Sequence, residues 1–335
     1  MISRIVESGI AKSGAGFIFA GTFMKRVLPS IFSSVSVLLG VLALTASTAR
    51  AVESYIIVDN QTGRILAEQN ADQKRQIASL TEIATGMVVL DWSKLTNADL
   101  GELVSIPDNA LASGGGPVGL QAGDLISLRD LLYCALMVSD NVAANTLAYH
   151  IGRRLPNVEG LDPVGDFVAH MNALARTLGM KHTRLLNPSG VDNTQGSLPF
   201  SSAADLARLV RYAYSKSGFP FYVSQETREV HLFRAGQPLS VWLKNLNPLL
   251  NQDGIDGVKT GRTIKAGDCI VLTADRSPES VRNGDQVLIT PRRIITVLLG
   301  VQDRTSDGLT FMRKGWQLYD QWAAAGRATK RSNSL

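Results

Sequence analysis

Apolar runs of strand length stand at both ends of this chain, and a long stretch of helix-patterned sequence lies between them. At the front, SYIIVD (54–59) and RILAEQ (64–69) flank the turn Asn60-Gln61-Thr62-Gly63 and predict a β-hairpin. At the back, GVKTG (257–261), DCIVLTADR (268–276) and RIITVLLGVQ (293–302) predict three strands, and LTFMRKGWQLYDQW (309–322) a closing helix. Strands so placed form one core only if the two ends of the chain meet. The expected architecture is therefore α+β: an antiparallel sheet of about five strands drawn from both chain ends, beside a central helical region.

The middle carries helix punctuation. A helix is predicted to begin at Ser79, and another near Ser127, where Asp130 follows as an acidic third residue. A third runs from Asp162, with Pro163 in its first turn, to Gly179 just past its end. A fourth begins near Ser202, with Asp205 in its first turn, and stops at Gly218.

The first 51 residues are set apart from this pattern. From Met24 the chain has a basic start (Lys25, Arg26), an apolar stretch from Val35 to Leu44 and an Ala49-Arg50-Ala51 ending, the layout of a cleavable secretory signal. The apolar stretch is shorter than the roughly 20 residues that span a bilayer. Export to the cell envelope, with cleavage after Ala51, is the expectation. Residues 52–326 then form one catalytic-size domain, and 327–335 a polar, basic tail expected to lack fixed structure and to offer no membrane anchor.

The leader also carries the charge. It holds five of the 34 Lys and Arg and one of the 29 Asp and Glu, which leaves 29 against 28 and a net charge of +1. The sequence pI of 9.2 thus gives no argument for a nucleic-acid partner. The two cysteines, Cys134 and Cys269, sit in apolar stretches; they could pair in an exported protein or stay as buried thiols. The four histidines are scattered without ligand spacing, so no metal and no cofactor is expected.

Three short motifs carry chemistry. Ser79 stands at a predicted helix start. Ser139-Asp140-Asn141 follows at a helix end, and Lys259-Thr260-Gly261 lies on a strand. Each triplet alone is weak. In this order and in these contexts they match the penicillin-recognising serine enzymes. The chain resembles the D-alanyl-D-alanine carboxypeptidases of low molecular mass, over nearly all of residues 54–325. The resemblance rests on YIIVDNQTGRILAEQNADQKRQIASLT, RDLLYCALMVSDNVAANTLA, LGMKHTRLLNPSGVD, SSAADLARLVRYA and NPLLNQDGIDGVKTGRTIKAGDCIVL. It implies the penicillin-binding/β-lactamase-like fold, and peptidoglycan stem peptides and β-lactams as partners. Removal of a terminal D-alanine through an acyl-serine intermediate is the implied chemistry.

The resemblance also implies roles. Ser79 attacks the penultimate carbonyl, and the N–H groups of Ser79 and Arg262 form the oxyanion hole. Lys259 and Thr260 hold the substrate's terminal carboxylate, and Gly261 leaves room for its backbone. Ser139 passes a proton to the leaving amine, and Asn141 orients the peptide. Two positions depart from the family: Asp140 where glycine is usual, and Arg262 where histidine is usual, which puts a permanent charge beside the carboxylate pocket.

The third departure bears on catalysis. The family has lysine three residues after the serine, where it helps take the hydroxyl proton; here the tetrapeptide is SLTE, with Glu82. No other S-x-x-K occurs in the mature chain. At about 4 Å and an effective dielectric near 20, each unit charge is worth roughly 4 kcal/mol. A loss of about 10³-fold in acylation follows even after heavy discounting. Glu82 is expected to attract Lys259, or to serve as base itself if burial raises its pKa. A plainer reading makes Ser79 and Glu82 a capping box without chemistry. A non-catalytic peptide-binding relative is therefore the rival to an enzyme. A β-lactamase is third, disfavoured because no separate E-x-x-L-N element for deacylation is found.

Overall fold

The computed structural model describes residues 52–157, 159–192, 196, 198–216, 218–328 and 333–335. The predicted leader lies outside the described residues. The front hairpin is β1 (Ser54–Asp59) and β2 (Ile65–Gln69), and the back of the chain supplies β7 (Ile255–Thr263), β8 (Gly267–Asn283) and β9 (Gln286–Val301). These five form one antiparallel sheet in the order β2-β1-β9-β8-β7. The chain ends meet as expected, with Ile56 opposite Val297.

The central strands β1, β8 and β9 carry long apolar runs, and both faces of those runs are covered. Side chains alternate across a strand. Ile56, Val58, Val271 and Val297 enter the core shared with the central helices. Tyr55, Ile57, Ile270 and Leu298 enter a second core under the last helix, where Met312, Trp316 and Tyr319 lie.

The helices are α1 (Glu82–Thr96), α2 (Leu128–Val138), α3 (Asn141–Gly152), α4 (Pro163–Thr177), α5 (Ala203–Tyr214), the short α6 (Phe219–Val223) and α7 (Arg304–Ala324). Three predicted starts are capped as read: Ser127 accepts from Asp130 N–H, Asp162 from Gly165 N–H and Ser202 from Asp205 N–H. The fourth predicted helix ends at Tyr214 rather than at Gly218.

One expectation is extended and one is corrected. The middle region, mostly helical as expected, also holds strands. A second antiparallel sheet runs β3-β4-β5-β6, from β3 (Leu103–Ser105), β4 (Leu125–Ser127), β5 (Thr227–Arg234) and β6 (Gln237–Lys244). The first two strands are three residues each, too short to show a period. The tail is not without structure to its end: Ser334 pairs with Arg64, and Leu335 N–H donates to Gly63 O. Both cysteines are buried free thiols. Among the described residues no helix is long and apolar enough to cross a membrane.

Candidate active site

Ser79 lies in a 3₁₀ turn, Ala78–Thr81, that leads directly into α1. Neither Ile77 nor Thr81, the residues before the turn and before the helix, makes a side-chain capping bond, and Glu82 turns elsewhere, so the capping-box reading fails. Ala78 holds a left-handed φ of +48°, which turns the chain sharply just before the serine. In a 3₁₀ turn, residues three apart eclipse one another, so Glu82 stands above Ser79. Ser79 is half-buried.

Two other segments close on this turn. Gly261 of β7 passes so near that a Cβ there would lie 3.1 Å from Ser79 N and 3.0 Å from Ile77 O. Ser139 caps α2 in a left-handed conformation, φ +56°, and Asp140 caps α3. The Asp140 carboxylate accepts from Ala143 N–H at 2.9 Å and from Val118 N–H at 3.0 Å, which ties the 116–118 loop to this corner. Burial pushes its carboxyl upward. Asn141 opens α3, half-buried.

At the centre sits a buried cluster that local sequence reasoning could only anticipate. Lys259 Nζ lies 2.9 Å from Glu82 Oε2, with the side chains 1% and 0% exposed. Ser139 Oγ donates to the same Oε2 at 2.9 Å, and Lys259 Nζ also contacts Ser139 Oγ and the Thr260 carbonyl. The expected attraction between Glu82 and Lys259 is thus realised. Burial raises the Glu82 pKa to about 7, against the opposing pull of the Lys259 ammonium and of the hydrogen bonds from Lys259 and Ser139. Among the described residues, nothing donates to the other carboxylate oxygen, Oε1, which is buried. Glu82 opens α1, where the helix dipole favours an anion.

Thr260 is buried beside Lys259 on the edge strand. Arg262 follows Gly261 on β7. Its side chain is 74% exposed and its Nε lies 3.7 Å from Asp268 Oδ1, so its charge is drawn to a neighbouring aspartate.

One supporting segment had no role assigned from sequence. Asn187 Oδ1 accepts from Ser189 N–H and Gly190 N–H, and Thr85 Oγ1 donates to Pro188 O at 2.6 Å. Gly190, with φ +77°, packs onto the Ala78 carbonyl so closely that any Cβ would collide with it. The signal was present as an Asn-Pro-Ser-Gly turn, but its target is remote in sequence. Among the described residues no cluster of three or more metal-ligating side chains occurs.

A serine on a strained turn, a buried cluster of Glu82, Ser139 and Lys259, and an edge strand running past both define the class of penicillin-recognising serine peptidases. The D-alanyl-D-alanine carboxypeptidase sequence profile matches residues 43–283, and the chain belongs to that family. It is 35% identical over 231 residues to a D-alanyl-D-alanine endopeptidase of Pseudomonas aeruginosa, covering 67% of this chain and 68% of that protein. It is 27% identical to a D-alanyl-D-alanine carboxypeptidase of Bacillus subtilis, of whose length the match spans 56%. Among solved structures, the Streptomyces K15 DD-transpeptidase superposes with a TM-score of 0.68 at 28% identity, covering 80% of this chain and 97% of that one.

Proposed function

We propose that this protein binds the D-alanyl-D-alanine end of a peptidoglycan stem peptide between β7, the Ser79 turn and the Ser139–Asn141 corner. There it acts as a carboxypeptidase through an acyl-Ser79 intermediate, with Glu82 in the base role. The observation that carries this reading is the unpartnered, buried Oε1 of Glu82, one 3₁₀ turn above Ser79, on a carboxyl whose pKa is pushed to about 7. A base poised near the working pH transfers protons most effectively.

In this scheme the Ser79 hydroxyl adds to the penultimate carbonyl as its proton passes to Glu82. Ser139, already donating to Glu82, relays that proton to the departing D-alanine amine. Water then releases the acyl group. Lys259, held behind the cleft by Glu82 and Ser139, lends its charge to the substrate carboxylate at Thr260, Asn141 holds the peptide, and Ser79 and Arg262 N–H groups receive the oxyanion. β-Lactams occupy the same cleft. The work is done outside the cytoplasm, after removal of a leader within residues 24–51.

The second reading, a non-catalytic peptide-binding protein, draws support from a different observation. Oε2 of Glu82 is committed to Lys259 and Ser139, and no hydrogen bond joins the Ser79 hydroxyl to Glu82 among the described residues. Intact-mass labelling by benzylpenicillin separates the two. An adduct that is absent in Ser79→Ala, lost in Glu82→Gln and faster at pH 8 than at pH 6 supports the enzyme. No adduct on the native chain, with labelling gained in Glu82→Lys, supports the binding protein.

A further inference from the structure

The segment between the 3₁₀ turn Asp108–Ser113 and the buried Leu120 reads Gly114-Gly115-Gly116-Pro117-Val118-Gly119. Consecutive glycines make such a loop costly to order. A Cβ at Gly114, Gly115 or Gly119 would meet nothing within 4 Å, so these residues stand clear of the body of the protein. The N–H groups of Gly114 and Gly119 turn back to Leu111 O and Gly116 O, and Arg234 Nη2 holds the far end at Gly119 O, 2.8 Å away.

Residues 116–118 instead close on one side chain. Val118 N–H donates to Asp140 Oδ2 at 3.0 Å, and Gly116 passes so near the same carboxylate that any Cβ there would collide with it. Among the described residues this is the hydrogen bond that carries 115–118 to the rest of the fold. Val118 also rests its side chain on the main core. Asp140 is 0% exposed, and its other oxygen caps α3 by accepting from Ala143 N–H. The glycine usual at this position in the family has no side chain for either bond.

One buried carboxylate thus serves two segments at the corner of the cleft. It sets the start of α3, where Asn141 stands, directly after Ser139, and it holds the loop alongside. We propose that Asp140 is a positioning residue, a latch that keeps the 114–119 loop closed against the Ser139–Asn141 corner as a fixed wall of the cleft and so slows the escape of a bound peptide. The inference rests on the reading that a D-alanyl-D-alanine peptide lies in that cleft. A wall that is ordered before the peptide arrives leaves association little changed and acts on dissociation.

Two substitutions open the latch from opposite sides. Asp140→Ser keeps an oxygen that caps α3 and lacks the second one that Val118 needs. Gly116→Ala leaves the carboxylate and the cap in place and drives the loop off it. Amide hydrogen exchange of the full chain reads the loop, and unchanged protection in α3 shows that each variant is folded. Stopped-flow binding of Nα-dansyl-Nε-acetyl-L-lysyl-D-alanyl-D-alanine reads the cleft, with Ser79→Ala present throughout so that no peptide is consumed.

Each substitution is expected to speed exchange at the Val118 amide at least tenfold and peptide dissociation at least fivefold, with association changed less than twofold. The double variant should match the single ones, because both break the same bond. Unchanged peptide dissociation in Gly116→Ala, or effects that add in the double variant, would leave Asp140 a helix cap alone and overturn the proposal. A native Val118 amide that exchanges as fast as in the variants overturns it as well. A Ser79→Ala chain that binds no peptide overturns it together with the reading beneath it.

Discussion

Lys259 Nζ and Glu82 Oε2 stand 2.9 Å apart, and both side chains are shut away from water. Each arrives from a different part of the fold, Lys259 from the sheet edge and Glu82 from the first turn of the central helix. Two buried charges compensate one another here, and each depends on its partner. A Lys259→Met change leaves a carboxylate alone at full burial, a loss that costs about 3–5 kcal/mol when the remaining charge is uncompensated. The loss is expected to be largest above pH 7 and smaller below it, where Glu82 can take up a proton. Lys259→Met combined with Glu82→Leu should recover most of it, as read by urea denaturation of the four proteins of the cycle.

The raised Glu82 pKa makes stability depend on pH in a stated direction. Between the ordinary value of 4.5 and about 7 the folded protein holds a proton that the unfolded chain has released. Stability therefore falls as pH rises through that window and levels off above it. The full effect is on the order of 3 kcal/mol, since one pKa unit is 1.36 kcal/mol. Glu82→Gln should remove that share of the slope. A native chain and a Glu82→Gln chain with parallel stability profiles from pH 4.5 to 7 would contradict the burial argument.

Glu82→Lys puts a second ammonium beside Lys259 and Ser139. Two cations at that distance cannot both stay protonated cheaply, so one loses its proton and becomes an amine base. Penicillin acylation of Ser79 is expected to rise about 10³-fold. A rise of less than about tenfold would show that the charge at position 82 does not limit the reaction.

Gly190→Ala tests the support of the serine turn. The new Cβ would meet the Ala78 carbonyl, and the residue already holds φ +77°. Destabilisation on the order of 3 kcal/mol is expected, with loss of any penicillin adduct. Thermal unfolding and intact-mass labelling give the two readings.

Arg262→Ala tests the placement of an exposed charge next to Gly261. Because the guanidinium is exposed and drawn to Asp268, its removal should alter stability by less than about 0.5 kcal/mol. Peptide affinity should change by less than about twofold, since the backbone N–H is untouched. A loss of tenfold or more in calorimetric binding of a D-alanyl-D-alanine peptide would place the side chain in the cleft.

Much of the fold was legible because its signals are local. Ser127, Asp162 and Ser202 announce their helices through bonds spanning three residues, and each bond is present. The runs YIIV and IITVLL are apolar at every position but Thr296, and hydrophobic burial on two faces admits few alternatives. The β5–β6 hairpin was missed although its alternation was readable. Its turn, Ala235-Gly236, is held by left-handed conformations that Ala235 does not advertise.

By itself the sequence determined the family, the motif order and the departure at position 82, for these are matters of residue identity and spacing. Tertiary structure alone decided what that departure becomes. Glu82, Ser139 and Lys259 lie far apart along the chain, and only folding brings them within hydrogen-bonding distance and strips them of water. The protonation of a carboxylate is set by its solvation and by the charges around it, and neither is written in the four letters SLTE.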